Sequence, residues 1–253
     1  MAILDVRNCT KRFGGLVAVK NLNMSLESGD LYGLIGPNGA GKTTIFNLMT
    51  GVYTPDQGSI ELDGKAIHKH KPSSIAKLGI SRTFQNIRLF RSMTVLENVT
   101  VARHMRKKQL LFDAVMRTAR LKLEEETIKH DALALLKIFS LDKRAYEPAV
   151  NLPYGSQRRL EIARALATQP KVLLLDEPAA GMNPQESIEL MHLIRWIRDE
   201  FKLTVLLVEH NMRVVMGVCE KIQVIDYGET IALGTPREIQ HNPKVIEAYL
   251  GGA

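Results

Sequence analysis

Leu31-Tyr32-Gly33-Leu34-Ile35 runs directly into Gly36-Pro37-Asn38-Gly39-Ala40-Gly41-Lys42-Thr43-Thr44, and a helical pattern then continues to Met49. A short apolar run that stops at glycines reads as a buried strand, and the periodic residues from Lys42 onward read as a helix. Strand, glycine-rich loop and helix form the context in which G-x-x-x-x-G-K-[ST] makes a phosphate-binding loop. Its glycines let backbone N–H groups turn inward around phosphates, and the helix dipole adds positive potential. Lys42 is expected to reach the β- and γ-phosphates, and Thr43 to offer its hydroxyl to Mg2+.

Two further apolar runs, Val172 to Leu175 and Thr204 to Val208, have the length and the β-branched or leucine content of fully buried parallel strands. Between them, residues 185–199 carry Ile188, Met191, Leu193, Ile194 and Ile197 at mostly helical spacing, which predicts a right-handed crossover. The core is therefore α/β. Ile3 to Val6, Ser59 to Leu62, and the pair Gln223 to Asp226 and Thr230 to Leu233 around Tyr227-Gly228 read as antiparallel strands and hairpins. They are expected to form a second, smaller sheet. From about Val95 to Phe139 the chain is charged and helix-favouring, with little β-branched content, which predicts an inserted helical lobe. The expected organisation is one domain, 1–253, with the lobe spanning roughly 87–160 and a joint at Pro148 to Pro153.

With 253 residues, 45% hydrophobic and 24% charged, the chain can bury a sizeable core. No run approaches the roughly 18 apolar residues of a membrane span, and the opening MAILDVRNCTKRF lacks a secretory apolar core, so a cytosolic location is expected. Cys9 and Cys219 lie far apart without metal-ligand spacing and read as small buried apolar residues. A net charge of +7 and a pI near 9.4 would suit nucleic acid, an anionic membrane surface or a phosphate ligand. Charge alone does not choose among them.

Asp176 and Glu177 close the run Val172-Leu-Leu-Leu-Asp-Glu, at the mouth of a buried strand, where open α/β sheets bind ligands. Asp176 would hold Mg2+, directly or through water, and Glu177 would polarise the water that attacks the γ-phosphate. A charged strand end is the ordinary reading of such a pair alone; beside a complete phosphate loop it is the weaker one. His210, in Val208-Glu-His-Asn-Met, follows the third apolar strand and would reach the γ-phosphate as a hydrogen-bonding sensor, although a lone strand-end histidine is more often a cap or a satisfied polar residue. Gln85, in Arg82-Thr-Phe-Gln-Asn, reads by itself as a surface amide.

Together, the phosphate loop, Gln85, the segment Leu152-Pro-Tyr-Gly-Ser-Gln157, Asp176-Glu177 and His210 resemble the ATPase domain of ABC transporters, over essentially the whole chain. The resemblance implies a P-loop NTPase (RecA-like) core with an antiparallel β subdomain and an inserted α-helical subdomain, ATP and Mg2+ as ligands, and ATP hydrolysis coupled to transport. It implies a head-to-tail dimer with a second ATPase subunit, identical or different, in which ATP lies between one phosphate loop and the other subunit's signature segment. It implies that Phe13 stacks on adenine, the other reading being a core phenylalanine. It places Gln85 in a loop that senses nucleotide and its metal and faces transmembrane permease subunits, with a groove lined by Asn86 to Asn98. A periplasmic or extracellular solute-binding protein is an indirect partner, nucleic acid is not one, and the chain sits peripherally on the cytoplasmic face of the inner membrane.

The family's signature usually reads Leu-Ser-Gly-Gly-Gln, where this chain has Leu152, Pro153, Tyr154, Gly155 and Ser156. Proline supplies neither the hydroxyl of serine nor an N–H. Gly155 still permits close phosphate approach, and a helix from about Arg158 would point its N-terminus there, so a weakened half-site is expected. Asn183 stands where the family usually has aspartate. Gly79-Ile-Ser-Arg-Thr-Phe-Gln-Asn, Leu96-Glu-Asn-Val, Gln157-Arg-Arg-Leu-Glu-Ile-Ala-Arg and the ending Ala248-Tyr-Leu-Gly are similar to the LivG-type ATPases that energise branched-chain amino acid uptake. Urea or amide importers and lipopolysaccharide exporters use similar ATPases. Versions acting on nucleic acid carry coiled coils or two ATPase domains, which this chain lacks, and a nucleoside monophosphate kinase leaves Gln85, Asp176-Glu177 and His210 without an explanation. Arg103-His-Met-Arg-Lys-Lys108, continued by Arg117, Arg120 and Lys122, would touch a membrane partner or headgroups; a solvated helix face is the favoured reading.

Overall fold

The computed structural model describes residues 2–106 and 119–250. They form two compact units, one of Met1–Gln85 with Lys171–Ala253, the other Asn86–Pro170.

The first unit is built on a six-stranded sheet in the order β10-β9-β3-β8-β7-β6, with β3 at Leu31–Ile35, β6 at Ile80–Arg82, β7 at Val172–Asp176, β8 at Thr204–Val208, β9 at Lys221–Asp226 and β10 at Glu229–Gly234. All neighbours pair in parallel except β10, which returns antiparallel on β9. Every residue of β3, β7 and β8 is buried, as the unbroken apolar runs require of strands covered on both faces. Helix α1 (Lys42–Met49) follows β3, α6 (Pro184–Phe201) joins β7 to β8, and α7 (Met212–Val218) joins β8 to β9. Because β3, β8 and β7 are neighbours, the loops leaving their carboxyl ends lie side by side.

A second, antiparallel sheet has the order β2-β1-β4-β5, with β1 at Ala2–Phe13, β2 at Leu16–Glu27, β4 at Gln57–Leu62 and β5 at Lys65–Ala66. Its β1 does not stop near Val6 as the sequence suggests. Asn8 takes a left-handed backbone (φ 48°) and the pairing register shifts between Val6 and Cys9, so the strand continues through a bulge. The expected assignment of residues 223–226 and 230–233 to this sheet is incorrect. They are β9 and β10, and β9 extends the main sheet by pairing with β3. Burial of Ile222, Val224 and Ile225 drives that placement. The one polar side chain among them is satisfied: the Tyr32 hydroxyl donates to Gln223 at 2.7 Å, and the Gln223 amide donates to the Asn23 carbonyl and the Thr230 hydroxyl. Helices α2 (Pro72–Leu78), α8 (Pro236–Gln240) and α9 (Pro243–Leu250) complete this unit.

The second unit is helical, with α3 at Val95–Arg103, α4 at Ala119–Ile138 and α5 at Tyr154–Ala167. Val95 and Val99 of α3, Ala132 and Leu136 of α4, and Leu160 and Ala163 of α5 are buried. A buried ion pair, Arg158 to Glu161 at 2.7 Å, sits on α5, and Glu161 also accepts the Arg88 N–H. The side chain of Asn98 closes the preceding loop by bonding to both backbone groups of Phe90. Of the basic stretch, Arg103 pairs with Asp131; Lys107, Lys108 and Arg117 lie outside the described residues, as do the side chains of Arg106, Arg120 and Lys122. No described helix is long and apolar enough to cross a membrane.

Candidate active site

The phosphate loop is fixed by close backbone packing that only glycine permits. A Cβ on Gly36 would lie 2.0 Å from the Ile225 carbonyl, and one on Gly41 would lie 2.5 Å from the Ala18 carbonyl. Gly228, in the β9–β10 turn, donates its N–H to Ala40 and accepts one from Lys20, bracing the loop from two strands. On the C-terminal helix, partial burial pushes the pKa of the Tyr249 phenol up, opposed by the Gly36 backbone. Helix α1 then starts at Gly41 without a side-chain cap, so its first N–H groups remain available to an anion. Lys42 is only 6% exposed and donates to the carbonyls of Gly36 (2.6 Å) and Pro37 (2.8 Å). Burial lowers its pKa, opposed by the charges of Glu177 and Asp176.

Asp176 ends β7 and accepts a 2.7 Å bond from Arg82. Arg82 also donates to the Asn47 side chain of α1 at 2.7 Å and lies between the rings of Phe46 and Phe84. Glu177 follows in a left-handed conformation (φ 48°), with its N–H donated to the Val208 carbonyl at 2.8 Å. One oxygen of its carboxylate receives both the Gln85 amide and the Nε2 of His210, each at 2.7 Å. The structure thus brings Lys42, Gln85, Asp176, Glu177 and His210 to one place, and His210 is bonded to Glu177 itself. Glu209, adjacent to it, is buried and accepts backbone N–H groups.

Thr43 lies exposed in the first turn of α1. Phe13 is 41% exposed at the end of β1, edge-on to Tyr53 with ring centroids 5.1 Å apart, which removes the core-residue reading. Leu152, Pro153, Tyr154, Gly155 and Ser156 belong to the second unit, where Leu152 is buried and Pro153 is the N-cap of α5. Here the sequence expectation needs correction: the helix begins at Tyr154, not near Arg158. Proline's fixed φ suits a helix start, and its carbonyl accepts the Gln157 N–H at 2.9 Å. Asn183 caps α6, its side chain accepting the Glu186 N–H while Glu186 accepts that of Asn183.

Sequence reasoning passed over Arg82, Asn47 and Glu209. The available signal was the placement of two charged residues at the ends of buried strands. Among the described residues, no three His, Cys, Asp or Glu side chains cluster as a metal cage. The Thr43 hydroxyl and Asp176 carboxylate are hard oxygen donors, too few to hold Mg2+ alone. They fit an ion that keeps its waters and binds substrate phosphates.

A phosphate loop at the end of β3, with carboxylates from β7 and a histidine from the loop after β8, defines a P-loop nucleoside triphosphatase. The ABC transporter family pattern matches residues 19–180, and that of the branched-chain amino acid ATP-binding cassette transporters matches 229–253. The chain belongs to the ABC transporter family and is one of its ATPases. It is 47% identical to the high-affinity branched-chain amino acid transport ATP-binding protein LivG of Escherichia coli (strain K12), over 99% of this chain and 98% of that one. The ADP conformation of MJ1267, an ATP-binding cassette of an ABC transporter, superposes with a TM-score of 0.86 at 30% identity, covering 99% of each chain. A dimeric post-hydrolysis state of the cassette MJ0796, bound to ADP and Pi, superposes with a TM-score of 0.78 at 26% identity, covering 92% of this chain and 99% of that one. The expected fold class, a P-loop core with antiparallel β and inserted α-helical parts, is the one found.

Proposed function

We propose that this chain is the ATP-hydrolysing subunit of an importer for branched-chain amino acids. The observation that carries the hydrolytic role is Glu177, poised beside a complete phosphate loop with its carboxylate held by Gln85 and His210. The solute class rests on the likeness to LivG.

In this reading Lys42 exchanges the carbonyls of Gly36 and Pro37 for the β- and γ-phosphates, and the N–H groups of Gly36 to Thr44 wrap the phosphate tail. Thr43 and Asp176 would hold Mg2+, with Gln85 nearby, and bound there it would supply positive charge against the phosphate oxygens. Glu177 takes a proton from the attacking water, while His210 turns from Glu177 to the γ-phosphate. Phe13 offers its exposed ring to adenine. A second ATPase subunit binds head to tail, presenting its signature segment to this loop while Leu152 to Ser156 face the partner's nucleotide. Pro153 makes that second half-site the weaker one, which favours a heterodimer. Asn86 to Asn98 form the groove for a transmembrane permease, so the chain sits peripherally on the cytoplasmic face of the inner membrane, indirectly served by a solute-binding protein and without nucleic acid.

Reconstitution with its permease in vesicles tests the proposal. ATP-driven uptake of leucine, isoleucine or valine is expected. Transport of urea but not these amino acids would overturn the solute assignment, and association with nucleic acid in place of a permease would overturn the transport role.

A further inference from the structure

We propose that Glu209 is a positioning residue for hydrolysis, a single buried carboxylate that fixes the turn carrying Glu177 and the loop carrying His210 at once. The inference rests on the hydrolytic role proposed for Glu177.

Glu209 directly follows β8, is 2% exposed, and uses both oxygens. Oε1 accepts the Ala179 N–H at 2.7 Å; Oε2 accepts the N–H groups of His210 at 3.2 Å and Asn211 at 3.3 Å. Ala179 lies two residues beyond Glu177, whose left-handed backbone is disfavoured for any residue with a Cβ and persists only where its surroundings impose it. Two cross-links impose it: the Glu177 N–H bond to Val208, and the Glu209 bond to Ala179. The same side chain gathers the N–H groups that open the His210 loop. Pinning both loops to one rigid carboxylate keeps the Glu177 carboxylate and the His210 Nε2 within their 2.7 Å bond. Burial pushes the Glu209 carboxyl up, and its three N–H donors and the His210 charge oppose that shift. With both oxygens turned to backbone, Glu209 does not touch the nucleotide, so its effect passes through Glu177 and His210.

Glutamine has one acceptor oxygen and can keep only one of the two loops. Aspartate keeps the charge but is one methylene too short to span both. With the purified full chain, Glu209→Gln is expected to lower kcat for ATP by roughly 10- to 100-fold, as sub-ångström misplacement of a catalytic base does, with KM changed by less than about twofold. Glu209→Asp should show the same kcat-selective loss. In a Glu177→Gln, His210→Ala background, where both side chains that Glu209 positions are gone, Glu209→Gln should cost less than about twofold further. An unchanged kcat in Glu209→Gln would overturn the proposal, as would a loss that multiplies in full in that combined variant. Should both variants fail to fold, amide hydrogen exchange in the wild type decides: Ala179 and His210 N–H groups released at a common rate support one shared anchor, and unrelated rates overturn it. Wild-type and Glu177→Gln rates test the hydrolytic reading separately, so failure of Glu209 leaves that reading standing.

Discussion

Helices α1 and α5 both begin without a side-chain cap, at Gly41 and Pro153, whereas α3, α6, α7 and α8 begin under Thr94, Asn183, Asn211 and Thr235, each accepting an N–H bond. An uncapped start leaves donors for water or a ligand. What surrounds those donors differs. At α1, Lys42, Asp176, Glu177, Gln85 and His210 converge from one unit, so donors and reactive groups stand together. At α5 the first turn offers Tyr154, Gly155 and Ser156, and the charged groups beneath, Arg158 and Glu161, are buried against each other. One start stands among titratable side chains, and at the other the nearby charges are paired with each other.

The comparison breaks most sharply at Glu177. Changing Glu177→Gln removes the proposed base while leaving α1 intact, and should lower kcat by about 10²- to 10⁴-fold with ATP binding retained, measured by steady-state hydrolysis and direct nucleotide binding. Retention of near-normal turnover would move the base elsewhere. At α5 the corresponding large effect falls on stability. Glu161→Ala removes the carboxylate paired with the fully buried Arg158 and is expected to cost about 3–5 kcal/mol, lowering the thermal midpoint by roughly 10 °C. A third variant makes the two starts less alike. Pro153→Ser gives α5 a cap worth about 1 kcal/mol and a hydroxyl for a partner's phosphate, so ATP turnover by the assembled transporter should rise about fivefold. An unchanged rate would separate α5 from the partner's nucleotide.

The smallest effect is a probe. Burial pushes the thiols of Cys9 and Cys219 up to about 11 and about 12, so at neutral pH both should react slowly with thiol reagents in the native chain and quickly in denaturant. Cys219 packs under Gly33, on the strand that feeds α1, where a Cβ would lie 3.0 Å from its sulfur. Its labelling should slow further when nucleotide is added, and labelling indifferent to ATP would mean that α1 and β3 open independently of the ligand.

Legibility in the sequence followed the range of the interaction. The phosphate loop could be read because its strand, glycines and helix are contiguous, and the β3, β7 and β8 runs because strands buried on both faces lose their alternation. The place of the β9–β10 hairpin could not, since a hairpin looks the same whichever sheet it joins and only its pairing with β3 decides. Strand β2 alternates polar and buried residues on an edge, and β6 is too short to carry a pattern. Arg82 stood out only as a charge at a strand end, and its pairing could not be read locally because its partner Asp176 lies 94 positions away. Glu209 was hidden by its neighbour, because its partners are backbone groups that no motif spells out.

The missing cap at Gly41 also bears on how long the protein lasts. Whatever binds the folded chain at α1 and not the unfolded one holds it folded, by about 2.7 kcal/mol at a hundredfold excess over Kd. Proteases that attack transiently opened chains then see fewer of them. Nucleotide supply would thus set the turnover of the subunit as well as its activity, and a starved cell would clear the idle copies first.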